Sequence, residues 1–294
     1  MSNKDKIQEA LSRIKEGIDN INSDAEWLSF LAFQSRFYNY SFNNTMLIYL
    51  QFPQASYVKG YRAWNQLGRY VRKGERGIMI LAPCFRKITE FKEPLDKNTY
   101  NDAEGEKEEK RVISGFRTTC VFDLLQTEGD DSKLPVLVKG LSGNGLQEKE
   151  LYEKLKAHIS KRLPFEEVEG TASKGSYSIE TGVICVRSDL DYVQKIKTAI
   201  HEYSHFVDFS LNPSEDISRN KRELIAESCA YIIALRLGID TSSYSISYLR
   251  TWLKEREELQ EIAETVNRVS ATIFSELAAS SDVAFFDVGE AENY

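Results

Sequence analysis

Cysteine is scarce in this chain and poorly placed for chemistry. Its four copies, Cys84, Cys120, Cys185 and Cys229, stand far apart, with no CxxC pair and mostly apolar neighbours. That spacing argues against a disulfide framework and a cysteine metal site, and it predicts buried free thiols in a reducing compartment. Long hydrophobic runs are missing too. Nothing approaches the roughly 18 unbroken apolar residues that a membrane helix needs. The opening segment, MSNKDKIQEALSRIKEG, is charged where a secretory leader has an apolar centre. A cytoplasmic protein with no membrane partner is therefore expected. Positive charge is in the minority, 38 Lys and Arg against 45 Asp and Glu, for a net charge of -7. This balance argues against nucleic-acid binding by the chain as a whole and leaves room for a local basic patch. No internal repeat is found. What is present, 294 residues of which 41% are hydrophobic, is ordinary globular composition and long enough for two domains.

The apolar periodicity predicts helix over 4–35, with a break near Asn22–Ser23, and again from Asn43 to Gln51. Short strands are expected at Tyr57–Lys59, Tyr70–Val71 and Gly77–Leu81, with another from Phe85 and one over Arg117–Phe122. A helical turn is expected at Ala63–Leu67. Residues 91–111 are polar and read as a long hairpin loop. Gly, Asp, Ser and Pro over 126–147 read as an interdomain linker. Lys149–Ile159 follows as an amphipathic helix. A hairpin is expected where Tyr177–Ile179 and Val183–Val186 flank Thr181–Gly182. Two long helices come next, roughly 190–210 and 219–237. A charged helical stretch over 243–278 and a frayed acidic tail over 279–294 complete the chain.

Histidine is rarer than cysteine: there are three, and two fall in KTAIHEYSHFVDF. His201 and His205 stand four apart, so a helix brings both imidazoles to one face, where both can reach one tetrahedral cation. Glu202 is adjacent to the first and can contact a water on that cation without ligating it, as a general base must. Zinc would bring the pKa of that water towards neutrality. Glu202 would take its proton during attack on a carbonyl and later hand it to the leaving amine. Two histidines on the exposed face of an amphipathic helix are the plain alternative. The third, His158 in LKAHISKRL, is expected on a solvated surface.

A short loop further on, RELIAESCAYIIALRLG carries Glu223 and Glu227, also four apart and on one helical face. Ile225, Ala226, Ile232, Ile233 and Leu235 mark this helix as buried, and a buried carboxylate needs a compensating partner such as a metal. Ala226 and Ala230 are small enough to let it approach the histidine-bearing helix. The segment resembles the Glu-x-x-Ala-Asp element of glutamate-type zincins. That resemblance implies Glu223 as the third metal ligand, with Glu227 fixing the tautomer of a ligand histidine. Glu stands here where that element has Asp, which leaves the two roles exchangeable. Tyr177, Tyr192, Tyr203 and Tyr231 are near in sequence, but none is assignable to an oxyanion from sequence alone.

In the N-terminal half, Lys59, Arg62, Arg69, Arg72, Lys73, Arg76, Arg86 and Lys87 crowd a segment in which Glu75 is the only acid, interleaved with Tyr57, Tyr61, Trp64 and Tyr70. Cations that follow phosphates and rings that stack on unpaired bases suit single-stranded nucleic acid. A basic solvated turn above an aromatic core is the alternative.

The run from Tyr40 to Pro83, with YSFNN, Trp64-x-x-Leu67-Gly68-Arg69 and RKGERGIMILAP, resembles the N-terminal domain of ArdC-like (LtrC-like) antirestriction proteins. Val121–Phe122–Asp123 with Gln126–Thr127–Glu128–Gly129 resembles the end of that domain, and HEYSH with ELIAE resembles the zincin domain usually joined to it. The resemblance covers about residues 5–240. It implies an α+β chain in three parts. Residues 1–130 would form a single-stranded-DNA-binding domain, a small antiparallel sheet with helices. Residues 145–242 would form a zincin-like metallopeptidase domain with a small sheet beside the histidine-bearing helix. Residues 243–294 would form a helical extension with an acidic tail. It implies a mobile-element antirestriction protein that binds single-stranded DNA through Lys59, Arg62, Trp64, Arg69, Arg72, Lys73 and Arg76. A zinc ion held by His201, His205 and Glu223 would hydrolyse a peptide bond of an unknown protein or peptide substrate, with Glu202 as base. A non-proteolytic DNA-binding protein with a structural zinc site is the second reading. It gives no use to Glu202.

Overall fold

A computed structural model of the chain describes residues 2–91, 107–134, 146–170, 172–213, 217–241 and 258–279. The first helices begin where serine side chains can occupy open amide groups. Ser2 caps α1 (Asn3–Asp19) in a reciprocal box with Asp5. Ser23, at the predicted break, caps α2 (Asp24–Gln34), and Ser41 caps α3 (Phe42–Gln51). Then come β1 (Val58–Lys59), α4 (Tyr61–Gln66), β2 (Arg69–Val71), β3 (Ile78–Phe91), β4 (Lys107–Asp123) and β5 (Thr127–Gly129). One antiparallel sheet runs β1-β4-β3, and β2 pairs with β5. The two strands expected around Pro83 are one, β3, with a register shift between Cys84 and Phe85. The predicted hairpin loop is shorter than 91–111, since β4 starts at Lys107; its centre, 92–106, lies outside the described residues.

The free edge of β3 is met by side chains rather than by another strand. The Asn44 amide donates to the Leu81 carbonyl and accepts the Leu81 N–H, both at 2.8 Å. Gln51 does the same for Met79, at 2.9 Å both ways. Two polar residues on α3 thus satisfy backbone groups that burial would otherwise leave unpaired.

The second half contains α5 (Leu146–Ser160), β6 (Phe165–Val168), β7 (Gly175–Tyr177), β8 (Ile184–Arg187), α6 (Tyr192–Leu211), α7 (Arg219–Arg236) and α8 (Leu259–Ala279). Its sheet runs β6-β8-β7, with β6 parallel and β7 antiparallel to β8. The hairpin was legible in the sequence; β6 was not, because Glu166 and Glu167 interrupt any apolar alternation. Residues 135–145 of the predicted linker, 242–257 of the helical stretch and 280–294 of the tail lie outside the described residues.

The parts read from the sequence share a core. Ile14, Trp27, Phe30, Leu31 and Leu47 of α1–α3 belong to the same buried cluster as Tyr203, Ile225, Ile232, Val266 and Phe274 of α6–α8. The Trp27 indole donates across this junction to Ser228 Oγ at 3.3 Å. α8 contributes Leu259, Ile262, Val266, Val269, Ile273 and Leu277 to it.

Two sequence expectations need correction. His158 is 7% exposed, edge-on to the Tyr203 ring at 6.3 Å and 4.0 Å from Glu276 Oε2. Its charged neighbours suggested a surface, but α8, far along the chain, brings Glu276 over it. All four thiols are free as expected, yet only Cys229 is buried; Cys84 and Cys185 are half-buried and Cys120 is exposed.

Candidate metal centre and nucleic-acid surface

α6 starts at Asp191, whose carboxylate accepts the Gln194 N–H at 2.8 Å. Its inner face buries Ile196, Ala199, Ile200, Tyr203 and Val207, which turns His201 and His205 towards a cleft. Their Nε2 atoms stand 3.2 Å apart. α7 starts at Ser218, which accepts the Lys221 N–H, and sends Glu223 to the same point. Glu223 Oε2 is 3.4 Å from His201 Nε2 and 3.9 Å from His205 Nε2. Donors at about 2.0–2.1 Å from a tetrahedral ion lie roughly 3.3 Å from one another, so these three atoms can hold such an ion with little movement. Glu227 faces the other side of the same imidazole, with Oε2 3.4 Å from His201 Nδ1 and Oε1 2.5 Å from Lys197 Nζ. Lys197 escaped the sequence reading; its spacing four residues before His201 was the available signal.

The electrostatics are those of a crowded, half-dry site. Burial works against a charge on His201, but hydrogen bonds to Glu223 and Glu227 overcome it and raise its pKa to about 9. Burial, together with the charge on His201, lowers His205 to about 4. Burial pushes Glu202 up to about 7, against the pull of His201 and of the Tyr177 N–H that its carboxylate accepts. The His201 hydrogen bond holds Glu223 low. Burial opposes ionisation of Glu227, but His201 and Lys197 keep its pKa below the usual value.

The cleft has a volume of about 1130 Å³. The histidines and Glu202 come from α6, Glu223 and Arg219 from α7, and Lys174 to Tyr177 from the opposite wall at β7. β7 reaches this position because residue 175 is glycine. A Cβ there would lie 2.4 Å from Thr198 Cγ2, 2.9 Å from the Cys185 carbonyl oxygen and 3.3 Å from Glu202 Cγ. Gly175→Ala should push β7 off α6, lower stability by about 1–3 kcal/mol and displace Glu202. An unchanged thermal midpoint would show that the wall yields without cost.

The basic segment divides on inspection. Trp64 is 0% exposed, edge-on to Tyr57 at 5.5 Å, and donates to the Phe122 carbonyl at 2.8 Å. It is a core residue, and its ring is closed to a base. Arg69 is buried as well. It donates to Thr127 Oγ1 at 2.9 Å and the Thr127 carbonyl at 3.1 Å and pairs with Asp131, tying β2 to β5. Both fell into the candidate DNA set because aromatic and cationic residues look alike in a sequence whether they face inwards or outwards. Arg72 is partly engaged by Glu75 at 2.7 Å, and Lys59 lies over the Tyr57 ring at 5.4 Å. Arg62, Lys73 and Arg76 are exposed, as are the rings of Tyr61 and Tyr70 at 53% and 56%. Further exposed rings, Phe85 and Phe116, sit on the β3–β4 ribbon among the exposed Arg86, Lys87, Arg111 and Arg117.

Residues 4–122 match the family described as the N-terminal domain of anti-restriction factor ArdC. The uncharacterized protein pXO2-81 of Bacillus anthracis is 24% identical over 298 residues, covering 92% of this chain and 51% of that protein. The chain thus spans about half the length of this curated relative. Two crystal structures of antirestriction ArdC protein from the R388 plasmid are similar. The Mn(II)-bound one has a TM-score of 0.52 at 16% identity, covering 92% of this chain and 97% of that one. The metal-free one has a TM-score of 0.49 at 18% identity, covering 82% and 86%. The first of these shows a shared fold.

Proposed function

From the premise that this is an ArdC-like chain, we propose that it is a DNA-binding antirestriction protein carrying a divalent metal at His201, His205 and Glu223, where it hydrolyses a peptide bond. The observation that carries the reading is the convergence of those three donor atoms at 3.2, 3.4 and 3.9 Å, with Glu202 beside them in an open cleft. Two imidazoles and one carboxylate suit zinc, and the Mn(II) in the ArdC structure supports a divalent ion. The bound ion would supply Lewis-acid polarisation of a carbonyl and a more acidic water. Glu202 does not belong to the donor set. It takes the proton of the attacking water and passes it to the leaving amine. Glu227 and Lys197 orient His201 through Nδ1. β7 is the outer strand of its sheet and lines the cleft, so an extended peptide can pair along it. A purely structural site would close its coordination and leave Glu202 without use.

For DNA, the reading rests on Arg62, Lys73 and Arg76 with the exposed rings of Tyr61 and Tyr70, a combination suited to unpaired bases. Among the described residues no helix is long and apolar enough to cross a membrane. Elemental analysis of the purified protein should find one divalent ion per chain, lost in His205→Ala. Retention of that ion in the variant would sink the ligand assignment. Anisotropy with labelled oligonucleotides should show salt-sensitive preference for the single strand over the duplex of the same sequence; absence of binding at low salt would remove the DNA half of the proposal.

A further inference from the structure

The charge of the cleft opposes that of the chain. Among the described residues that line it, the acids are Glu202, Glu223 and Glu227, all gathered at the metal donors. The cations Lys174, Lys197, Arg219 and Arg222 occupy its walls, in a chain of net charge -7. Two of them are held by acids of their own: Lys197 by Glu227 at 2.5 Å, and Arg222 by the buried Asp208 at 3.1 Å. Arg219 differs. Its side chain is 93% exposed, and its Nε stands 4.0 Å from Glu223 Oε1. An ion held by the other oxygen of Glu223 would draw on that carboxylate's charge and leave the guanidinium directed at whatever enters. Arg219 also opens α7, an 18-residue helix whose N-terminal end adds positive potential to the same wall. Lys174, exposed at the entry to β7, stands on the opposite wall.

We infer that the cleft takes an acidic peptide segment, with Arg219 and Lys174 reading carboxylate side chains on either side of the bond at the metal centre. This rests on the peptidase reading above. A peptide fits better than a nucleic acid: β7 offers backbone pairing along one wall, and Tyr177, Ile179 and Phe209 add apolar and aromatic surface. The field also steers approach, since oppositely charged segments are concentrated at a cleft of one sign.

The test uses the full-length chain loaded with zinc and two hydroxamate-terminated tripeptides that differ only in carrying Asp or Lys at their side-chain positions. Titration calorimetry reads binding without requiring turnover. The Asp compound should bind roughly tenfold more tightly at low salt, the scale of two partly exposed charge pairs, and the gap should narrow as salt rises. Arg219→Glu should erase or reverse the preference while the measured metal content stays the same. Equal affinities for the two compounds would overturn the inference and leave the metal centre standing. Binding of neither by the zinc-loaded protein would overturn it together with the peptidase reading. Displacement of the Asp compound by a single-stranded oligonucleotide would assign the charge to nucleic acid and overturn it as well.

Discussion

Glu202→Gln protein should hold its metal at unchanged stoichiometry and hydrolyse its substrate about 10²–10⁴-fold more slowly, the range that a positioned general base contributes. Glutamine has nearly the same shape and can still accept the Tyr177 N–H, so the wall formed by β7 stays in place. What it lacks is a site for the proton. The side chain is 8% exposed, and burial already disfavours its charged form, so the neutral replacement should not lower the thermal midpoint. Metal content, melting temperature and rate on one preparation separate the possibilities. Undiminished cleavage with normal metal content would take Glu202 out of the mechanism.

Trp64→Ala should cost about 3–5 kcal/mol of folding stability, as expected for removing a wholly buried indole. The change empties the space against Tyr57 and leaves the Phe122 carbonyl without its donor. Its effect on DNA binding should follow from the damaged sheet alone. Urea unfolding decides the matter: a loss below about 1 kcal/mol with a large fall in single-strand affinity would return Trp64 to the DNA surface.

The metal centre was legible because its logic is local. Helical spacing puts His201 over His205 and Glu223 over Glu227, and no distant residue is needed to see either pair. What the sequence left open was which glutamate faces which nitrogen. That depends on how α7 lies against α6, and the Nε2 and Nδ1 distances separate the two. The helices were legible for the same reason, each opening on a serine or aspartate cap. The basic aromatic segment was only half legible. Asp123 is wholly buried and accepts the N–H groups of Ser56, Tyr57 and Leu125. Gln126 holds the Arg76 carbonyl, and Thr127 holds Arg69. The recognisable end of this segment is thus a set of internal ties, and the rings and cations nearest to it are drawn inwards by them. His158 and Lys197 depended on partners brought from elsewhere, which no window of sequence displays.

The amides of Asn44 and Gln51 have a consequence for how long this protein can survive in a crowded solution. A long outer strand with vacant hydrogen-bonding groups is a template on which a second molecule can add a strand, and a third after it, towards fibrils. β3 is such a strand, 14 residues long. At its root, Met79 and Leu81 already spend those groups on side chains of the same molecule. Along that stretch an incoming chain finds the positions filled, so two carboxamides on a neighbouring helix act as a guard against self-propagating aggregation.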